Sequence, residues 1–72
     1  MEVRLFATLR EKHGKSPDVP WHEGMTGQDL LSALEIPPGD VSIFLVGGKH
    51  TDLGAALNPD DIIAIFPPVG GG

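Results

Sequence analysis

The strongest indication of chemistry in this sequence lies in its last six residues, Pro67-Pro68-Val69-Gly70-Gly71-Gly72. Glycines carry no side chain, so a carboxylate that follows three of them can pass through a channel too narrow for a Cβ atom and enter another protein's active site. The two prolines cannot donate backbone hydrogen bonds, and they stop a preceding strand from pairing further. We interpret the carboxyl end at Gly72 as a reagent that a stiff base holds clear of the body.

A glycine-rich chain end also has a plainer interpretation, a frayed terminus without a function. Composition alone leaves both interpretations open, because a short glycine run is a weak signal. At roughly 3.3–3.6 Å per extended residue, residues 69–72 would reach on the order of 13 Å beyond the prolines, which is enough to enter a deep pocket. We therefore expect one domain over residues 1–68 and a flexible C-terminal tail over residues 69–72.

Length and hydropathy indicate one small, soluble domain. The chain has 72 residues, of which 40% are hydrophobic, and a domain of this size buries only ~60% of the surface that its unfolded chain exposes. No apolar run approaches the ~18 residues that a membrane span needs. The sequence starts directly with a strand-like pattern and not with a secretion signal. We expect a cytoplasmic protein that is a monomer when free and binds no membrane.

The charged and reactive side chains exclude several classes of function. The chain lacks cysteine, so it has no thiol nucleophile and no thiolate metal site. Its histidines, His13, His22 and His50, have no metal-ligand spacing, and no nucleophile, base and oxyanion site come together. The net charge of −5 disfavours nucleic acid as a partner, and it suits either a basic partner surface or solubility alone.

Hydrophobic periodicity predicts an α+β fold. Thr26 and Asp29 form a capping-box pattern at the start of the main helix, which the prolines at 37 and 38 should end. A helical turn is expected over residues 9–13, and strands are expected over residues 2–8, 19–23, 41–46, 49–52 and 61–66. A last strand that lies parallel to the first and beside it would give a mixed sheet of four to five strands on one main helix. This is the β-grasp, or ubiquitin-like, architecture.

Alternation along the strands predicts which side chains face the helix. Inward positions would be Val3, Leu5 and Ala7 on the first strand and Val41, Ile43 and Leu45 on the middle strand. The outward set would then hold all three phenylalanines, Phe6, Phe44 and Phe66, together with Val46 and Ala64. Such a patch beside the tail is large enough to mark a partner site. A register slip of one residue would reverse these assignments.

Three segments carry a resemblance to a known family: VRLFATLRE at residues 3–11, GMTGQDLL at 24–31 and DDIIAIFPPVGGG at 60–72. The chain resembles the small subunit of molybdopterin synthase, the MoaD-type member of the MoaD/ThiS ubiquitin-like sulfur carriers. The FPPV-x-GG ending is the specific part, since thiamine-branch carriers share the Gly-Gly but are less similar at FPP. Two departures are Gly70, where the family usually has Ala or Ser, and the turn at Gly47-Gly48.

The resemblance implies a carrier and not an enzyme. An E1-like adenylyltransferase of the MoeB/ThiF type would use ATP to adenylate the Gly72 carboxylate, and sulfur would displace AMP to leave a thiocarboxylate. The tail, with Gly70 and Gly71, would then enter the large, MoaE-like subunit of molybdopterin synthase. Phe6, Phe44, Phe66, Pro67, Pro68 and Val69 would contact these partners. No metal or bound cofactor is implied.

Three functions remain open at this point. The first is sulfur transfer for the molybdenum or tungsten cofactor. The second is sulfur transfer in another pathway, of thiamine or cysteine type, or conjugation to proteins through Gly72. The third is a plain interaction domain with an inert tail.

Overall fold

The structure, a computed structural model, describes residues 1–68. Its elements in chain order are β1 (Glu2–Leu5), α1 (Ala7–His13), α2 (Gly27–Leu34), a short 3-10 helix (Pro38–Asp40), β2 (Ile43–Val46), β3 (Lys49–His50) and β4 (Ile62–Phe66). The strands form one sheet in the order β1-β4-β2-β3. β1 is parallel to β4, whereas β2 is antiparallel to both β3 and β4. The predicted α+β class, the mixed β-grasp sheet and the parallel pairing of first and last strands are confirmed.

The core lies on one face of this sheet. Val3 and Leu5 of β1 are buried, as are Ile63 and Ile65 of β4, so the alternation predicted for these two strands is confirmed. Leu30 and Leu31 of α2 belong to the same buried cluster. Burial of a leucine or isoleucine side chain contributes about 1.5–3 kcal/mol. The pairing of two half-apolar strands with one apolar helix face is therefore the main source of stability.

The ends of α2 are fixed by local hydrogen bonds. The capping box is present: the Asp29 N–H donates to Thr26 Oγ1 over 3.3 Å, and the Thr26 N–H donates to Asp29 Oδ2 over 3.0 Å. The helix ends earlier than the prolines at 37 and 38 suggested, because Glu35 adopts a left-handed conformation with φ of 58°. From there the Ile36 N–H donates to the Leu31 carbonyl, and Ile36 is buried.

The strand predicted over residues 19–23 is wrong: no strand occurs between α1 and α2 in the described chain. Pro17 and Pro20 lack the N–H groups that strand pairing along β1 would need. Contact between this segment and β1 is made instead by the Leu5 N–H, which donates to the Lys15 carbonyl. Val19 and Trp21 still pack against the core, as expected. The Trp21 indole N–H donates to the Leu57 carbonyl over 2.8 Å. One side chain thus anchors this segment without sheet pairing.

β2 has the opposite facing from the one predicted. Phe44 is 5% exposed and packs in the core, while Ile43 and Leu45 pair with Phe66 and Ala64 and lie on the outer face of the sheet. Val46, expected outside, packs against the core. Residues 41–46 are nearly all apolar, so their alternation carries no information about facing.

The end of β1 also differs from the prediction, because the strand is shorter than expected. The first strand was expected to reach residue 8 with Ala7 inward, but β1 ends at Leu5 and Ala7 is exposed as the first residue of α1.

The two turns that lead into the remaining strands are as predicted. Gly47 and Gly48 both have positive φ in the β2–β3 reversal, and the Asp61 N–H donates to the Asn58 carbonyl before β4.

Gly27 makes the burial of Phe44 possible. A Cβ atom on Gly27 would lie 2.9 Å from Cζ of Phe44 and 3.0 Å from the Leu53 Cα. We expect Gly27→Ala to lower the free energy of unfolding by about 1–3 kcal/mol, the usual range for overpacking, even though alanine is the better helix former. Urea denaturation measures the change. Gly54→Ala is the control, because a Cβ there meets no atom within 4 Å; equal stability of the two variants would contradict the close packing.

Candidate functional site

The candidate site is the end of β4, from which the chain continues into the tail. β4 is paired on both sides up to its last residues: the Phe6 N–H donates to the Ile65 carbonyl over 3.2 Å, and the Ser42 N–H donates to the Phe66 carbonyl over 2.8 Å. Pro67 and Pro68 follow directly and add no backbone donor. The chain is therefore held firmly up to the point where the prolines begin.

Four of the predicted site residues fall in the tail, at Val69, Gly70, Gly71 and Gly72. They lie outside the described residues, as does the expected boundary between the domain and the tail. Of the other predicted residues, the structure brings Phe6, Phe66, Pro67 and Pro68 together at the end of β4. Phe44 does not join them, because its ring is part of the core.

Phe6 and Phe66 form a stacked aromatic pair. Their ring centroids are 4.3 Å apart, and the ring planes differ by 6°. Parallel pairing places Leu5 beside Ile65, so the next residues of the two chains, Phe6 and Phe66, are also neighbours. Both rings are half-buried, which leaves part of each ring accessible beside the base of the tail.

The outer face of the sheet extends from this aromatic pair. Cross-strand partners place Ile43, Leu45, Ile62 and Ala64 on it, and Ile62 is 47% exposed. The exposed side chains of Glu2 and Arg4 form an ion pair on the same face. Ile43, Leu45 and Ile62 were not predicted to lie on this face. Ile62 was detectable, since it has the same parity as Ala64 and Phe66.

A groove lies beside the base of the tail, and we call it the tail-base groove. Its volume is about 640 Å³. The lining residues come from α1, the 3-10 helix, β2 and the end of β4: Ala7, Thr8, Leu9, Lys12, Asp40, Ile43, Phe66, Pro67 and Pro68. The groove was not predictable from the sequence, because residues from four separate elements form it.

Metal-binding clusters and membrane-spanning helices are both absent from residues 1–68. Among residues 1–68, no three side chains of His, Cys, Asp or Glu lie close enough together to hold a metal ion. In the same part of the chain, no helix has the length and apolar character to cross a membrane.

A β-grasp domain whose doubly paired central strand runs into a glycine-rich chain end has the features of the ubiquitin-like carriers, which present their own terminus to other proteins. The model of the ThiS family matches residues 3–72, and the chain belongs to that family. ThiS-family proteins are small, non-catalytic sulfur carriers that work with an E1-like activating enzyme and a sulfur-accepting partner. Comparison with curated proteins and with solved structures gave no significant match.

Proposed function

We propose that this chain carries sulfur as a thiocarboxylate on Gly72 and donates it to the synthesis of molybdopterin. The observation that carries the proposal is the position of β4. This strand is paired with β1 and β2, and Pro67 and Pro68 follow it directly, so residues 69–72 are attached to a rigid base. Glycines at 70, 71 and 72 add no side chain that would obstruct entry into a partner's active site.

The Gly72 carboxylate must be activated before sulfur can be added, because an ionised carboxylate is a poor electrophile. A carboxylate oxygen of Gly72 attacks the α-phosphorus of ATP, which forms an acyl-adenylate and releases pyrophosphate. A hydrosulfide-level sulfur nucleophile then attacks the carbonyl carbon. The C–O bond to AMP breaks, AMP leaves with the bonding electrons, and the thiocarboxylate remains. ATP is used on the activating enzyme, and the carrier itself holds no cofactor. The absence of cysteine fits sulfur that is held at the terminus.

The outer face is the surface that docks the partners. Phe6 and Phe66 present their accessible ring surface next to Pro67 and Pro68, so a protein that receives the tail, including Val69, contacts them as well. Aromatic side chains are enriched among the residues that dominate binding energy. Phe44 has no part in this surface, because it is buried.

The molybdopterin branch is favoured by the Phe66-Pro67-Pro68-Val69 sequence before the glycines. In that branch the sulfur acceptor is a pterin precursor bound to a large, MoaE-like synthase subunit, and the E1-like enzyme is of the MoeB/ThiF type. The thiamine and cysteine branches use the same tail chemistry with another acceptor. Conjugation to lysine through Gly72 would use the same acyl-adenylate with an amine as nucleophile.

Mass spectrometry tests the loading of Gly72. After incubation with ATP, the activating enzyme of the same organism and sulfide, the intact protein should gain the mass difference between sulfur and oxygen. Fragmentation should place that difference on the last residue. A variant that lacks Gly71 and Gly72 is the control and should not gain mass. Loading of this shortened variant, or isopeptide adducts in place of the sulfur shift, would contradict the proposal.

Reconstitution tests the acceptor. The loaded protein is mixed separately with two enzymes of the same organism, the large molybdopterin synthase subunit with its pterin precursor and the thiazole-forming enzyme of thiamine synthesis with its substrates. We expect dithiolene formation in the first mixture and no thiazole in the second, both followed by mass spectrometry. Thiazole formation without dithiolene would assign the chain to the thiamine branch.

Phe6→Asp tests the docking surface. The substitution places a carboxylate on the apolar outer face but leaves the core intact, so we expect at least a tenfold loss of affinity for the activating enzyme with the domain still folded. Calorimetric titration measures the affinity, and circular dichroism follows the fold. Ser32→Asp, at an exposed position of α2, should bind like the wild type. Unfolding of Phe6→Asp would show instead that Phe6 has a structural role.

A further inference from the structure

The tail-base groove combines an apolar surface with two opposite charges. Ile43, Phe66, Pro67 and Pro68 supply apolar walls, and Leu9, which is 3% exposed, lines it from the core side. Its volume of about 640 Å³ falls within the range of about 300–1,000 Å³ that is typical of ligand sites. A protein that covers the base of the tail therefore covers a groove with room for at least one side chain.

The charged residues of the groove are Lys12 and Asp40. Lys12 belongs to α1 and Asp40 to the 3-10 helix. Within residues 1–68, these two residues form no ion pair with each other, and the ion pair that is present joins Arg4 and Glu2. Both residues are exposed. The groove thus offers a cation on α1 and an anion on the 3-10 helix.

The surroundings of Lys12 differ in sign from the rest of the molecule. Residues 10–15 hold Arg10, Lys12 and Lys15 against Glu11, a formal charge of +2, in a chain whose net charge is −5. A partner with a generally basic surface would be attracted by the whole molecule but repelled near α1. A partner that binds at the groove therefore needs local negative charge beside α1.

We propose that the tail-base groove docks a segment of the E1-like activating enzyme in which an apolar side chain lies between an acidic and a basic residue. The apolar side chain fills the groove, the carboxylate pairs with Lys12, and the cation pairs with Asp40. The inference rests on the proposed function, because the activating enzyme must bind the tail before sulfur can be loaded onto it. Pro67 and Pro68 are both the base of that tail and part of the groove wall.

The docked segment of the enzyme would have two roles, one that depends on packing and one that depends on charge. An unfilled space of this size at an interface would forfeit dispersion contacts along its lining, so an inserted side chain strengthens binding. Two charges of opposite sign on two different elements of the lining would accept the segment in one direction and disfavour the reversed one. The groove would therefore set the direction in which the enzyme lies over the domain, and with it the path of the tail.

Three variants with matched controls test the proposal. Lys12→Glu and Asp40→Lys reverse the two charges, and Thr8→Trp places a large ring in the groove. Their controls are Lys49→Glu, Asp52→Lys and Ser32→Trp, which make the same changes at exposed positions outside the groove. Pyrophosphate release by the activating enzyme of the same organism gives KM and kcat for each carrier. Circular dichroism shows that each variant is folded.

We expect each groove variant to raise KM about five- to tenfold at unchanged kcat, as for the loss of a charge pair or a filled contact at an interface. The controls should stay within a factor of two of the wild type. A groove variant with wild-type KM, or one with reduced kcat alone, would overturn the docking site while the wild type is still adenylated. Absence of pyrophosphate release with the wild type would instead overturn the proposed function, so the two failures are distinguishable.

Discussion

β4 is hydrogen-bonded along both edges, in parallel to β1 and antiparallel to β2, and the other features follow from this double pairing. Parallel neighbours need a long connection, so residues between β1 and β4 have to cross the sheet, and α2 supplies the apolar face that covers it. The register that sets Leu5 beside Ile65 also brings Phe6 next to Phe66. The aromatic pair is a consequence of the strand register.

The same pairing makes the chain rigid up to the point where the part proposed to react begins. Ile63 and Ile65 are completely buried, so movement of β4 would disturb the centre of the core. Within residues 1–68, the backbone bond from the Ser42 N–H to the Phe66 carbonyl holds the end of β4, and the two prolines that follow have no N–H to continue the pairing. The residues after Pro68 are therefore attached at a fixed point of the sheet, which reduces the conformational freedom that a partner must restrict on binding.

The features of the fold that were predictable from the sequence are those that depend on residues close together in the chain. Alternation in β1 and β4, the Thr26–Asp29 capping box and the turn at residues 58–61 are local patterns, and the structure agrees with all of them. The facing of Phe44 depends on Gly27, a residue distant in sequence that leaves space for the ring. The outward facing of Phe6 and Phe66 was predictable from the strand pattern, and the position of the two prolines after the last strand was predictable from the sequence. The tail-base groove was not, since it arises where α1 and the 3-10 helix meet the end of β4.

The burial of Phe44 changes the character of the outer face. A third exposed phenylalanine would have spread aromatic surface over the middle of the sheet, whereas the structure leaves the aliphatic Ile43 and Leu45 there. The aromatic surface of the outer face is therefore concentrated in the Phe6–Phe66 pair, next to Pro67. Because aromatic residues often dominate binding energy at interfaces, affinity is expected to be greatest where the chain leaves the sheet. Under the proposed function, a partner anchored at that point would already lie at the start of the tail that it receives.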